Sequence, residues 1–372
     1  MTPRTGLERT RGMFVRSAIV ATTTIGVLAM AQPAFATPPQ KPALKTWGAT
    51  GAVKAQLIVG NTLYIGGSFT SVISPDGTTT ASRMHLAAID LTTGALLPWA
   101  PSTNGSVEAL ATDGSNVFAG GSFTNINGIS RSRLGSISSS GAVLPWTVGA
   151  NDAVLTLFVD GSTLYVGGKF TQLGGLPRVR LGAVTTSGSL LAWTATTDDR
   201  VKTLTTAGGA VIAGGFFTTV NGQSQPHIVR LDALTGGTLP WTYHSSAEVV
   251  GLVTGSDGNV YGAIAGGGGK VRSWSSTGTL RWTVFTDGDV NAVTFYQGQV
   301  IAGGHWIYMT GGTVYLPRLA AFDAATGAPD TTWAPIPNKQ VWAFATDGTT
   351  LAVGGVFTSV SKGTYRRVAL YR

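Results

Sequence analysis

Acidic side chains are the first candidates for chemistry, because several stand in short loops just before recurrent strand patterns. They are Asp152, Asp198, Asp199, Glu248, Asp287 and Asp289. Two carboxylates that face one glycosidic bond, about 5 to 9 Å apart, could hydrolyse it. Asp and Gly in tight turns are, however, also what turn geometry alone requires. A polysaccharide hydrolase or lyase that uses these loop carboxylates is therefore the alternative function, and no residue is assigned as catalytic.

Metal, thiol and phosphate-loop chemistry find little support in the residue pattern. His85, His227, His244 and His305 are dispersed without the paired spacing of metal ligands, and the chain has no cysteine. The run "AGGGGK", residues 265–270, lacks both the first Gly and the Ser or Thr of a phosphate-binding loop. The sequence thus predicts neither a metal site nor a cofactor.

Aromatic residues give the main binding hypothesis. The motif Gly-Gly-x-Phe-Thr occurs five times, but residues 303–312 read "GGHWIYMTGG" at the equivalent place. Aromatic faces with a polar tip are what sugar rings or the anchor residues of a partner protein pack against. We therefore predict a binding site formed by His305, Trp306, Tyr308, Tyr315 and Trp342. The alternative is local repacking, in which Trp306 fills the space of the missing Phe.

Arginines form a second recurrent set. They are Arg83, Arg133, Arg180, Arg230, Arg272, Arg318 and Arg367, which we expect to open the third strand of each repeat and to form a ring of guanidinium groups. If this ring is an anion-binding face, the candidate binding residues are Arg133, Arg180 and Arg318. In the structural interpretation, each Arg bonds to carbonyl groups or to an Asp of the neighbouring repeat.

A tryptophan repeat provides the elements that must position these residues. The spacings between successive members are 52, 47, 47, 48, 41 and 51 residues, for Trp47, Trp99, Trp146, Trp193, Trp241, Trp282 and Trp333. One period contains four short strand patterns separated by Asp-Gly, Asn-Gly or Ser-Gly turns. This predicts an all-β, seven-bladed β-propeller of four-stranded blades, with a β-solenoid as the alternative. We expect the tryptophans in the core, where their rings fill space left by the Gly-Gly pairs.

The two ends of the repeat region complement each other. The last repeat stops at "RRVALYR" without the piece that should end in Trp, and "ALKTW", residues 43–47, is a lone copy of that piece. We predict that this N-terminal strand closes the ring, since closure removes exposed strand edges. The propeller would span residues 44–372 after a short linker at 37–43.

The N-terminus has the order of a secretory signal peptide, predicted for residues 1–36. Four Arg precede an apolar run and then Ala34-Phe35-Ala36, and removing this segment lowers the formal net charge from +8 to +5. We expect a secreted protein, extracellular or associated with the cell wall, with no stable membrane insertion after cleavage. The remaining basic residues are dispersed, so no nucleic-acid partner is predicted.

The repeats resemble a known family. "LYVGGKFTQLGGLPRVRLGAVTTSGSLLAW" and "RLAAFDAATGAPDTTWAP" are similar to the secreted bacterial β-propeller repeats called delta-60 repeats. A weaker resemblance, carried by Ala88, Asp90, Thr93, Gly94 and Trp99, is to the tryptophan-docking repeats of quinoproteins. The first resemblance implies a propeller and export. The second implies that the motif holds blades together, and the vicinal Cys pair of many quinone-dependent dehydrogenases is missing.

The mouth of a propeller channel is where ligands usually bind. The residue after the first Val of each innermost strand varies, being Lys54, Glu108, Leu155, Lys202, Val250, Asn291 and Trp342, which does not predict a catalytic constellation. We expect a non-catalytic binding or scaffold module that recognises an extracellular glycan or protein. A purely structural cell-surface protein is a further alternative.

Overall fold

The computed structural model describes residues 41–372, and all regular secondary structure in that range is β-strand. The all-β prediction is confirmed. No helix in this part of the chain is long and apolar enough to cross a membrane. The predicted signal peptide and most of the predicted linker lie outside the described residues.

Strands are numbered in chain order. The first three repeats contain β1 (Gly48–Ala49), β2 (Val53–Val59), β3 (Thr62–Gly67), β4 (Ser71–Ile73), β5 (Thr80–Ser82), β6 (Leu86–Asp90), β7 (Val107–Thr112), β8 (Asn116–Gly121), β9 (Asn125–Ile126), β10 (Ile129–Ser130), β11 (Leu134–Ser138), β12 (Val154–Asp160), β13 (Thr163–Gly168), β14 (Gln172–Leu173), β15 (Leu176–Pro177) and β16 (Leu181–Thr185).

The remaining repeats contain β17 (Val201–Ala207), β18 (Ala210–Gly215), β19 (Thr219–Val220), β20 (Gln223–Ser224), β21 (Ile228–Asp232), β22 (Thr238–Leu239), β23 (Val249–Thr254), β24 (Val260–Ile264), β25 (Lys270–Trp274), β26 (Leu280–Phe285), β27 (Val290–Tyr296), β28 (Gln299–Gly304), β29 (Tyr308–Met309), β30 (Val314–Tyr315), β31 (Leu319–Asp323), β32 (Val341–Thr346), β33 (Leu351–Gly355), β34 (Ser359–Val360), β35 (Gly363–Thr364) and β36 (Val368–Tyr371).

The longer strands form antiparallel sheets, one per repeat, which we number 1 to 7 in chain order. Residues 41–372 contain the sheets β2-β3-β6, β7-β8-β11, β12-β13-β16, β17-β18-β21-β22, β23-β24-β25-β26, β27-β28-β31 and β32-β33-β36. The short strands form hairpins between the second and third long strands. Sheet 5 differs, because a glycine-rich turn at residues 265–269 joins β24 directly to β25.

The fourth, outermost segment pairs only weakly in most sheets. Sheets 4 and 5 have a fourth strand, whereas in sheets 1, 2, 3 and 6 the outer segment makes a single bridge, such as Ile89 to Leu96. Proline does not account for the difference, because Pro98 and Pro145 follow the outer segments of sheets 1 and 2 but Pro240 also follows β22 of the four-stranded sheet 4. In sheet 7, β36 instead pairs with the N-terminal segment through a bridge between Leu44 and Leu370.

The Gly-Gly pairs allow sheets to pack face to face. A Cβ on the first glycine would collide with the Val that opens the next sheet, as Gly66 would with Val107 at 2.7 Å. A Cβ on the second would meet a carbonyl oxygen of its own sheet, 1.9 Å away for Gly67 and Ala52. The expectation that the Trp ring fills this space is wrong, because the β-branched valine occupies it.

The repeat tryptophans lie instead between the outer parts of neighbouring sheets. Trp99, Trp146, Trp193, Trp241, Trp282 and Trp333 are buried. The indole Nε1 of Trp99 donates to the Ser138 carbonyl of sheet 2, and Trp193 donates in the same way to Asp232 of sheet 4. Six of the seven repeat tryptophans thus pack in the core, whereas Trp47 is only partly buried. Trp99, Trp193 and Trp282 also link their repeat to the next one through the indole N–H.

Candidate functional site

A β-bulge at the start of the first strand recurs in all seven sheets and positions the candidate site. The pairing register shifts after the opening Val each time, for example between Val53 and Ala55. The inserted residues are Lys54, Glu108, Leu155, Lys202, Val250, Asn291 and Trp342. Because a bulge re-aims the side chain of its extra residue, the sheets can present different side chains at one place.

Six of these inserted residues line one cavity of about 460 Å³, which we call the mouth cavity. The first strands of all seven sheets also line a smaller adjoining space of about 250 Å³. The other residues of the mouth cavity lie in short segments beside the bulges, namely Asp289, His305 and Gln340. The variable positions of the sequence therefore converge on a single site.

An ion pair occupies one side of the mouth cavity. The Lys54 amino group donates to the Glu108 carboxylate at 2.6 Å, and Ser106 donates to the same oxygen at 2.9 Å. Burial acts to raise the pKa of Glu108, but the hydrogen bonds and positive charge of these neighbours hold it below its usual value. Glu108 is consequently ionised at neutral pH.

Lys202 lies beside this pair without a partner of its own. Among the described residues, its amino group makes neither a hydrogen bond nor an ion pair, and burial lowers its pKa. The charge of Glu108 opposes that change, whereas Lys54, Arg200 and Lys169 reinforce it. An ammonium group that is half-buried and has no partner is unfavourable, so an anion at this place would be stabilised.

A fixed tryptophan forms another part of the cavity wall. The indole Nε1 of half-buried Trp342 donates to the Gln340 side-chain oxygen at 2.9 Å, which holds the ring in place. The amide of Asn291 lies beside it in the cavity. The arrangement combines an aromatic ring with side-chain amides, as sites for polar ring-shaped ligands do.

A carboxylate and an imidazole lie on the sheet 6 side of the cavity. The backbone N–H of Gly266 donates to Asp289 Oδ1 at 2.8 Å, and the other oxygen, Oδ2, is 3.9 Å from His305 Nδ1. Gly266 belongs to the shortened turn of sheet 5. The turn therefore helps to fix the Asp289 carboxylate.

The predicted aromatic residues separate into three locations. His305 and Trp342 line the mouth cavity. Tyr308 and Tyr315 are outside it, on the surface hairpin β29-β30, with 41% and 55% exposure and a ring-centroid distance of 5.4 Å. Trp306 is 0% exposed.

Trp306 occupies the place that phenylalanine has in other repeats. The Arg318 N–H donates to the Trp306 carbonyl, as the Arg133 N–H donates to that of Phe123. The indole Nε1 of Trp306 donates to the Leu316 carbonyl at 2.7 Å, inside the core. Because the ring has no exposed face, it cannot stack on a ligand as the sequence-based hypothesis proposed.

Two of the loop carboxylates have a structural role. Asp287 Oδ1 accepts the N–H groups of Ile307 and Tyr308, and Asp198 Oδ1 accepts those of Thr218 and Thr219. Slight burial acts to raise the pKa of Asp198, but these bonds and the Thr218 hydroxyl lower it to about 2. Of the six carboxylates singled out in the loops, only Asp289 lines the mouth cavity.

The predicted ring of seven arginines is wrong, because it combines residues from different positions. The equivalent place in six repeats has positive φ and is occupied by His85, Arg133, Arg180, His227, Arg318 and Arg367. Arg83 instead donates to the Leu97 carbonyl of its outer segment, and Arg272 is a buried residue of β25.

Two of the three anion-binding candidates contact neighbouring sheets. Arg180 Nη2 is 3.4 Å from the Asp198 carbonyl oxygen, and Arg318 Nη1 is 3.3 Å from that of Pro337. Both acceptors lie in the loop that leads into the next sheet. Arg133 is half-buried at the equivalent position of sheet 2. None of these three arginines lines the mouth cavity.

The sequence-based search missed Lys202 and the Lys54–Glu108 pair as binding residues. The signal was the variability at the position after the opening Val, within an otherwise regular repeat. For metal ions, residues 41–372 contain no group of three or more acidic, His or Cys side chains suited to hold one.

Comparisons with known proteins concern the fold. The family described as "Domain of unknown function (DUF5122) beta-propeller" matches residues 209–237. The WD40 beta propeller domain of Doa1 superposes with a TM-score of 0.58 and 10% identity, covering 90% of this chain and 97% of that one. The fold is a β-propeller.

A second solved structure matches a similar share of the chain. The computationally designed Ika8 protein gives a TM-score of 0.53 and 16% identity, covering 89% of this chain and 99% of its own. No curated protein matches the sequence. At these identities the likeness of the β-propeller to both structures concerns architecture alone.

Proposed function

We propose that residues 44–372 form a seven-bladed propeller of the delta-60 type, secreted after removal of residues 1–36, with the ring closed by the N-terminal segment. Three observations support this architecture. Seven sheets contribute first strands to one channel, Gly354 of sheet 7 packs on Val53 of sheet 1, and Leu44 pairs with Leu370. Export is supported by the charged, apolar and small-residue order of the N-terminus.

We further propose that this propeller is a non-catalytic module that binds an extracellular glycan at the mouth cavity. The observation that carries the proposal is the meeting of a fixed aromatic ring, Trp342, with side-chain amides and charged groups around about 460 Å³ of space. A cavity of this size accommodates one or two sugar rings, which need an apolar face for stacking and polar groups for their hydroxyls.

The exposed pair Tyr308 and Tyr315 extends the proposed site. The Asp287 carboxylate positions the Tyr308 N–H, and Asp289, two residues further, lines the mouth cavity. A longer glycan chain could therefore continue from the cavity along the same loop to the tyrosine hairpin. A protein partner would use the same exposed aromatic surface.

The hydrolase or lyase alternative now rests on Glu108 and Asp289, which line the same cavity. A glycosidase needs one carboxyl group that is protonated at working pH. The ion pair with Lys54 keeps Glu108 in the opposite state. Glu108 could then act only as the nucleophile or base, so the enzyme would need Asp289 to supply the acid. Release of reducing sugar from a bound glycan would support the enzyme instead.

The test is a glycan array with the purified protein and two variants. Trp342→Ala should weaken glycan binding by about 2 kcal/mol or more, because a central aromatic anchor is lost. Tyr308→Ala should weaken the binding of longer glycans only. If no glycan is retained and a protein co-purifies through the tyrosine hairpin, the glycan proposal is wrong and the partner is a protein.

A further inference from the structure

The charges of the mouth cavity are distributed unevenly. Lys54 of sheet 1, Glu108 of sheet 2 and Lys202 of sheet 4 all line the cavity. Glu108 is the single carboxylate that acts on both lysines, because it bonds Lys54 and its charge acts on the pKa of Lys202. Lys169 and Arg200 add positive charge near Lys202, although Arg200 has Asp199 at 3.8 Å. The surroundings of Lys202 therefore contain more cations than anions.

The part of the cavity beside sheet 6 can accept hydrogen bonds and repels further negative charge. Asp289 and His305 line the cavity beside the first strand of sheet 6, whereas Lys202 belongs to sheet 4. Gln340 and Asn291 add neutral amides, and Trp342 supplies the ring surface. A bound molecule is thus offered an anion position beside Lys202 and acceptors for hydroxyl groups beside sheet 6.

We propose that the mouth cavity is selective for an acidic sugar of the uronic acid type, whose carboxylate pairs with the Lys202 amino group. This inference rests on the proposed glycan function and specifies its ligand class. A uronate ring carries one carboxylate and several hydroxyls, which matches one unpaired ammonium group and the Asp289 acceptor. Its apolar ring face suits Trp342. A polyanion such as a sulfated sugar would place extra charge beside Asp289 and Glu108.

Glu108 sets the strength of this selectivity. The Glu108 carboxylate competes with the ligand carboxylate for the two lysines. The two carboxylates also repel each other, because they carry like charges in a partly buried site. Replacing it with Gln leaves an acceptor for Lys54 and removes the competing charge. Glu108→Gln should therefore bind the uronate more tightly, whereas Lys202→Met should bind it more weakly.

The experiment is calorimetric titration at pH 7 with trimers of galacturonate, glucuronate and mannuronate, each compared with its neutral methyl ester. We expect at least one acid to bind at least tenfold more tightly than its ester. Lys202→Met should remove that preference, and Glu108→Gln should increase affinity for the acid severalfold. Lys41→Met removes the same charge at an exposed position away from the cavity and should change nothing.

Other outcomes separate this inference from the proposed function. Equal affinity for acid and ester, or unchanged binding by Lys202→Met, overturns the selectivity while the glycan function stands. Tighter binding of inorganic sulfate or phosphate than of any uronate shows an oxyanion site and overturns the sugar. If no saccharide binds but acetate binds in a Lys202-dependent way, the anion site stands and the glycan function fails. No binding by any probe overturns both.

Discussion

Gly354 and Val53 lie at opposite ends of the repeat region, yet a methyl group on Gly354 would come within 2.9 Å of Val53 Cγ1. The same contact joins the first glycine of sheets 1, 2, 3, 4 and 6 to the valine of the sheet that follows. The glycine thus fixes how closely the last sheet approaches the first one.

The first prediction concerns this contact. Gly354→Ala should lower the free energy of unfolding by about 1–3 kcal/mol, because the added methyl overpacks the interface between sheets 7 and 1. Urea denaturation followed by tryptophan fluorescence measures it. Gly237→Ala is the control, since a methyl group there would meet only the Thr235 hydroxyl. Equal stability of the two variants would show that sheets 7 and 1 do not pack tightly.

The second prediction separates packing from binding in sheet 6. Trp306→Ala should cost about 3–5 kcal/mol of stability, because a large buried ring is removed. Trp306→Phe restores the residue of the other repeats and should cost about 1–3 kcal/mol, mainly for the unpaired Leu316 carbonyl. Glycan affinity of Trp306→Phe should remain that of the parent protein. A large loss of affinity in a stably folded Trp306→Phe would contradict the buried placement.

The third prediction is based on the asparagines that other repeats have at the place of Asp198. Asn104, Asn151 and Asn338 cap the equivalent turns in other repeats, where Asp198 stands in sheet 4. The folded-state pKa of Asp198, about 2, is below the unfolded value of about 4, so its stabilisation is present above pH 4 and lost as the pH falls to 2.

Asp198→Asn should therefore keep the stability at pH 7 within about 0.5 kcal/mol of the parent. Between pH 4 and pH 2 it should lose less stability than the parent does. Thermal unfolding at pH 7, 4, 3 and 2 tests this. Parallel curves for the two proteins over that range would show that Asp198 does not contribute to acid sensitivity.

The fourth prediction concerns the cost of the unpaired lysine in the mouth cavity. Burial lowers the folded-state pKa of Lys202 below the unfolded value of about 10.4, so the charged form destabilises the folded protein at neutral pH. Lys202→Met should therefore be more stable than the parent at pH 7. The difference should shrink as the pH rises towards 10. A less stable Lys202→Met would show that the amino group has a favourable partner in the folded protein.

Much of the architecture could be predicted from periodicity. The Trp spacing and the turn dipeptides indicated one four-piece unit per repeat, because both reflect local backbone requirements. The strength of the outer pairing could not be predicted, since Leu-Pro-Trp follows the weakly paired outer segments of sheets 1 and 2 and also occurs at the end of β22, the fourth strand of sheet 4. Whether the Trp306 ring is buried or exposed could not be predicted either, because a Phe-to-Trp change looks the same in the sequence in both cases.

The candidate site was visible only in part. His305 and Trp342 could be predicted to lie in one sector from their adjacent repeats, and both line the cavity. Lys202 and Glu108 come from separate repeats, and their association depends on bulges that a sequence does not mark. The arginine alignment failed because a position with positive φ accepts His85 and His227 as well as arginine. Alignment on residue type alone therefore joined positions with different backbone conformations.

The pairing of Leu44 with Leu370 has a consequence for biosynthesis. During translation the segment at residues 43–47 emerges among the earliest parts of the described chain, and its partner β36 emerges hundreds of residues later. At about 5–20 residues per second, the early segment waits for tens of seconds without its strand partner. Completion of the fold is consequently a late event, and a ribosome-bound chain that stops short of Leu370 leaves the first and last sheets open to other proteins.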